Sequence, residues 1–113
     1  MFDIYFKILY IQSMKEITRI EIQKILEKYK EYLGSRFHVI NVGLFGSFVT
    51  GENSSSSDID ILVEFKKGHK DFFNYMRLKH FLEEAFGREV DLVMKGAVKP
   101  QLRERIFRQV HYV

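Results

Sequence analysis

The pair Gly46-Ser47 stands ten residues ahead of the aspartates Asp58 and Asp60. A further aspartate, Asp91, lies inside the apolar run Val90-Asp91-Leu92-Val93. Each of these types has a chemical use. Glycine after a strand allows a tight turn and close approach of a bulky anion to backbone N–H groups. A serine opening the next turn adds a hydroxyl donor, and free N–H groups at a helix start favour phosphate. Asp58 and Asp60, two apart on a strand, project to one face. Such carboxylates repel each other unless a cation lies between them, and a pair of magnesium ions meets that need. Asp91 is a charge in an apolar strand, which is costly without a partner. If its strand neighbours that of Asp58 and Asp60, three hard oxygen ligands surround a space open to phosphate oxygens, as in a magnesium–nucleotide site.

Separately these fragments are weak, because Gly-Ser pairs mark many turns and Asp-x-Asp often opens a strand after a polar loop. Jointly, the four fixed positions coincide by chance in roughly one chain of this size in a thousand. Other candidates carry less. Glu64 shares the Asp58–Asp60 face but lies farther along the strand, as an edge or supporting group. His38, His69, His80 and His111 are scattered, with none at metal-ligand spacing. Arg103, Arg105 and Arg108 crowd the last helix, by default as a solvated face.

The elements that must position these residues follow from periodicity. Thr18 and Glu21 form a capping box. Ile22, Ile25, Leu26, Tyr29 and Leu33 repeat at helical spacing, and Gly34 can close the helix. His38 to Phe45 reads as a strand, ending at Gly46-Ser47. Residues 48–50 suit a short turn of helix, and residues 52–57 an exposed polar loop. A buried strand starts at Asp58, a second amphipathic helix runs from Phe72 to Phe86 and stops at Gly87, and Glu89 to Met94 forms a third strand. Pro100 opens a last helix carrying Leu102, Ile106 and Val110. The expected order is α-β-(short α)-β-α-β-α, an α/β (α+β) domain with helices flanking a small mixed sheet.

Composition sets outer limits. The 113 residues suit one domain with a modest core, and the 11 Phe and 6 Tyr exceed what that core needs, so some of them face a partner. The absence of cysteine excludes disulfides, zinc–thiolate sites and thiol nucleophiles, and suits a reducing cytoplasm. A net charge of +3 fits an anionic ligand and is too weak to argue for a nucleic-acid partner. Residues 1–13 are too short to span a membrane and lack the marks of a signal peptide. They read as an extension peripheral to a domain spanning 14–113, or as a stretch that packs on a partner or on a second copy of the chain.

Gly46-Ser47, the ten-residue spacer, Asp58-Ile59-Asp60 and Val90-Asp91-Leu92-Val93 resemble the nucleotidyltransferase fold shared with DNA polymerase beta. The compact length, the leading helix and the ending Val98-Lys99-Pro100-Gln101-Leu102-Arg103-Glu104-Arg105-Ile106 are similar to the minimal nucleotidyltransferase (MNT) family, over about residues 16–113. The resemblance implies an antitoxin paired with a HEPN-domain ribonuclease toxin, transferring AMP from ATP to a toxin tyrosine. It implies that Gly46 and Ser47 hold the triphosphate and that Asp58, Asp60 and Asp91 hold two Mg2+ ions. Phe48 and Val49 stand where the family often has a small or basic residue; Arg36, Lys66 or a partner residue are the substitutes for that charge, with a solvated surface residue the default reading of each. The alternatives are an antitoxin that acts by stoichiometric binding, and nucleotidyl transfer to a small molecule or RNA end. The intact acidic triad favours catalysis, and so short a chain leaves no second substrate-binding domain.

Overall fold

The computed structural model describes residues 16–113. The expected extension, residues 1–13, lies outside the described residues. The chain folds as α1 (Arg19–Phe37), β1 (Val39–Phe45), α2 (Ser47–Thr50), β2 (Ile59–Phe65), α3 (Phe72–Phe86), β3 (Val90–Met94), a 3-10 turn (Lys95–Ala97), α4 (Pro100–Gln109) and β4 (His111–Tyr112). The four strands form one mixed sheet in the order β3-β2-β1-β4. β2 runs parallel to β3 and antiparallel to β1, and β1 is antiparallel to β4.

Local chemistry explains most of the boundaries. Thr18 accepts a hydrogen bond from the Glu21 N–H, so the N-cap half of the capping box forms, while the Glu21 carboxylate takes the Thr18 hydroxyl rather than its backbone N–H. The α1 helix runs beyond Gly34, however, to Phe37. It ends at His38, which takes the left-handed cap conformation at φ 60°. Burial of Phe37 in the core outweighs the weak helix propensity of Gly34. Asp71 caps α3 by accepting from the Asn74 N–H, and Gly87 closes it.

The α1 and α3 helices cover one face of the sheet. Ile22, Leu26, Leu33, Leu78 and Leu82 meet Ile59, Ile61 and Val63 of β2 in a fully buried layer. Each such side chain contributes about 1.5–3 kcal/mol relative to exposure. Asn74 is the buried polar residue of this layer, and its side-chain amide donates to the Phe37 and His69 carbonyls at 2.8 and 3.0 Å. The opposite face carries Asp60, Leu62 and Glu64, the alternate residues of β2. Among the described residues a small cluster covers it, where Phe45, Leu62 and Val98 meet Ile106 and Val110.

The β4 strand adds an element to the expected order. Two residues of exposed His and Tyr carry no readable strand period. The strand exists because Gly43 leaves room for it: a Cβ there would sit 2.6 Å from Val110 Cγ2 and 3.0 Å from the His111 carbonyl oxygen.

Candidate active site

The β1–β2 pairing carries Gly46 and Asp60 to the same end of the sheet, because Phe45 sits opposite Asp60. The parallel β2–β3 register then places Asp91 directly across from Asp60. The condition on Asp91 stated from sequence, that its strand neighbours the Asp58–Asp60 strand, is thus met. Asp58 lies one residue before β2, rather than within it, and is exposed along with Asp91. Asp60 is half-buried between them.

The Gly46 turn and Asp60 form one packed unit. Gly46 has φ 75° and ψ −150°, a conformation essentially restricted to glycine. A Cβ at this position would overlap Asp60 Oδ2 and lie 2.8 Å from Asp60 Cγ. The four-residue helix α2 then starts at Ser47, whose backbone N–H favours the charged form of the Asp60 carboxylate. Gly51 closes α2 in the left-handed region.

The electrostatics of Asp60 are those of a crowded acid. Its pKa is pushed up to about 6, first by burial, then by the Asp91 carboxylate and the hydrogen bond shared with it, then by Asp58. The Ser47 N–H opposes these effects in part. Half-buried negative charge of this density calls for a cation, and the donor set consists of hard carboxylate oxygens. The residues present therefore fit magnesium. Among the described residues, no three His, Cys, Asp or Glu side chains are grouped closely enough to hold a metal ion.

A cavity of about 430 Å³ opens beside Asp58 and Asp91 and is lined also by Tyr75, Lys79, Glu83 and Glu89. Sequence reading did not single out Lys79. Its signal was the i, i+4 stripe Tyr75–Lys79–Glu83 on α3, the side of that helix that reaches β3. Tyr75 donates to the Leu92 carbonyl at 2.6 Å, and Glu83 accepts from the Val90 N–H at 3.0 Å. Arg88 was missed as well. It donates to the Ser54 carbonyl at 2.8 Å and lies 5.6 Å above the Phe48 ring, which ties the serine loop to the glycine turn. Nothing local marks Arg88 in the sequence.

The remaining candidates lie elsewhere. Arg36 and Lys66 sit at the far end of β1 and β2, next to His38, and do not stand in for a basic residue at the glycine turn. His38 and His69 stack at 3.7 Å in that corner. His80 pairs with Glu84, and His111 meets Arg19. Glu64 accepts from Asn41 at 2.8 Å and pairs with Lys95 at 3.8 Å. Arg108 pairs with Glu104 on the exposed side of α4.

Residues 26–113, which include the glycine turn and all three acids, match the nucleotidyltransferase domain family. The chain belongs to that family. This nucleotidyltransferase is 40% identical, over 100 residues, to the protein adenylyltransferase MntA of Thermococcus cleftensis, a match that covers 88% of this chain and 100% of that protein. A solved structure assigned to the minimal nucleotidyltransferases is 32% identical with a TM-score of 0.66, covering 80% of this chain and 93% of that one. A toxin–antitoxin crystal structure with AMP-PNP is 25% identical with a TM-score of 0.63, covering 80% and 70%. The four-stranded mixed sheet with flanking helices is the minimal nucleotidyltransferase fold, and the chain is an enzyme of nucleotidyl transfer. No helix among the described residues is long and apolar enough to cross a membrane.

Proposed function

We propose that this nucleotidyltransferase transfers AMP from Mg–ATP to a tyrosine hydroxyl of a HEPN-type toxin and so acts as its antitoxin. The observation that carries the reading is the contact of the Gly46 turn with Asp60, in register with Asp91. It sets a phosphate-binding turn directly against a cluster of acids. The naming of the Thermococcus cleftensis relative as a protein adenylyltransferase supports a protein acceptor. The toxin–antitoxin structure with AMP-PNP supports an adenine nucleotide and the antitoxin role.

On this reading Asp58, Asp60 and Asp91 hold Mg2+, which neutralises phosphate charge and lowers the pKa of the attacking hydroxyl. Magnesium is commonly bound by one or two carboxylates together with substrate phosphates, which suits this set of acids. Gly46 admits the triphosphate to the backbone, and Ser47 binds the β- and γ-phosphates. The acceptor oxygen bonds to the α-phosphorus as the bond to the bridging oxygen breaks, and pyrophosphate leaves. Asp91, an exposed carboxylate, would also receive the hydroxyl proton. Positioning and fixed charge supply most of the rate.

The test is intact-mass measurement of the HEPN partner, co-expressed with the wild type or with the Asp58→Ala/Asp60→Ala variant. One or more AMP additions on a partner tyrosine with the wild type alone are expected. A tight complex with an unmodified partner would replace catalysis by stoichiometric inhibition.

A further inference from the structure

A second cavity, of about 550 Å³, opens between the C-terminal ends of β2 and β3 and the helix α4. Glu64 lines it, and Glu64 shares the sheet face of Asp60. Four residues of strand separate the two, about 13 Å. Phe107 supplies its apolar wall, while Phe65 and Met94, at the same strand ends, turn their side chains into the core beneath α1 and α3. Phe107 remains 38% exposed, an aromatic ring left facing this space.

The rim is basic. Lys70 comes from the β2–α3 connection, Lys95 from the 3-10 turn and Arg103 from α4, so three separate elements converge on the opening. Glu64 is the acid of the lining, and it is engaged by Asn41 and Lys95. Arg103 is steadied by its Nε bond to the Val98 carbonyl at 3.2 Å. Among the described residues, neither Lys70 nor Arg103 forms a salt bridge. A nucleotide does not account for this charge. Its triphosphate is assigned to the Gly46 turn at the opposite end of β2, and adenosine carries no charge to match three cations.

We propose that this cavity seats an acidic segment of the protein acceptor. An aromatic or aliphatic side chain lies on Phe107, and carboxylates meet Lys70, Lys95 and Arg103. The hydroxyl to be modified then reaches the acids about 13 Å away along the same sheet face. The inference rests on the protein-acceptor reading given above. Rim charges of this kind select a partner by complementary potential and suppress basic competitors.

A random Glu–Tyr copolymer serves as the probe, because its binding can be measured without turnover. Fluorescence anisotropy compares the wild type with Lys70→Glu/Lys95→Glu/Arg103→Glu, and with the control Lys24→Glu/Lys28→Glu/Lys30→Glu on α1. The cavity variant is expected to lose at least ~10-fold in affinity and the control less than about 2-fold, with a Lys–Tyr copolymer bound poorly throughout. Phe107→Ala, which leaves the charge unchanged, is expected to weaken binding several-fold. Equal losses in the two triple variants would reduce the effect to overall charge and overturn the proposal. So would absent copolymer binding by the wild type, or weakened binding of an ATP analogue in the cavity variant. Transfer of labelled AMP to copolymer tyrosine is scored separately: binding without transfer counts against the catalytic reading alone, and transfer indifferent to the cavity charges counts against the docking site alone.

Discussion

Replacing Gly46 by alanine should damage the protein in two separable ways. The first is backbone strain, since φ 75° with ψ −150° is a conformation essentially closed to residues with a Cβ, at about 1–3 kcal/mol. The second is collision, because the new methyl overlaps Asp60 Oδ2 and lies 2.8 Å from Cγ. The carboxylate must rotate away from the Ser47 N–H, which favours its charged form. Displacing a half-buried charge from such a donor costs about 1.5–3 kcal/mol, offset in part by the added distance from Asp91. Gly51→Ala provides the control, since Gly51 also has positive φ, at 85°, yet nothing lies within 4 Å of its missing Cβ. It should cost only the left-handed penalty, about 1–2 kcal/mol. Gly46→Ala should therefore be the more destabilising by about 2 kcal/mol, a difference of roughly 8–16 °C in Tm for a domain of this size. In an Asp60→Ala background much of the excess should vanish, leaving a coupling of about 1–2 kcal/mol in a double-mutant cycle. Thermal and urea denaturation of the five proteins measures each term. Equal losses at Gly46 and Gly51, or a coupling below about 0.5 kcal/mol, would refute the claim that turn and acid form one unit.

Two further outcomes are expected. Asp60 has a folded-state pKa of about 6 against an ordinary 3.8, so its neutral form favours folding. That contribution is full below pH 3.8 and is lost as pH rises through 6; after allowance for solvent screening it amounts to about 1–1.5 kcal/mol. The stability of the metal-free wild type minus that of Asp60→Asn should fall over this window, and Mg2+ at pH 7 should raise Tm for the wild type more than for the variant. A pH-independent difference would exclude the crowded-acid account. Asn74→Ala leaves the Phe37 and His69 carbonyls without their side-chain donor, and a loss of about 2–4 kcal/mol is expected in denaturant titrations.

The sequence was most informative where a pattern repeats. The helix from Phe72 to Phe86 is found at its expected bounds, because a capping aspartate, a regular apolar stripe and a closing glycine agree. The strand around Ile59–Phe65 is legible because Ile59, Ile61, Val63 and Phe65 alternate onto the helix-covered face while Asp60 and Glu64 fall on the other. At Gly34 a local stop signal yields to the burial of Phe37, a long-range effect that no window of residues contains. The β4 strand escapes for a similar reason, since its cause is the missing side chain of Gly43. In the site, the even spacing of Asp58 and Asp60 implies a shared face only within a strand, and Asp58 falls one residue before β2; the pairing of Asp60 with Asp91 depends on strand order. Arg88 and Lys79 reach the site through tertiary packing, and single residues of that kind leave no period to detect.

The side chains of α3 also govern how this protein meets other copies of itself. The strand β3 forms an edge of the sheet, and its Glu89 carbonyl bonds inward to the Ile59 N–H. In a parallel ladder the alternate groups, the Val90 N–H and the Leu92 carbonyl, then point outward, where an edge strand can recruit another chain. Here Glu83 and Tyr75 occupy those two groups. Two of the outward backbone groups of this edge are thereby met by side chains rather than by a covering strand, and Asp91 between them stays exposed. Loss of both side chains would leave an apolar Val-x-Leu-Val edge with unmet backbone groups, and resistance to aggregation would then fall to Asp91 alone.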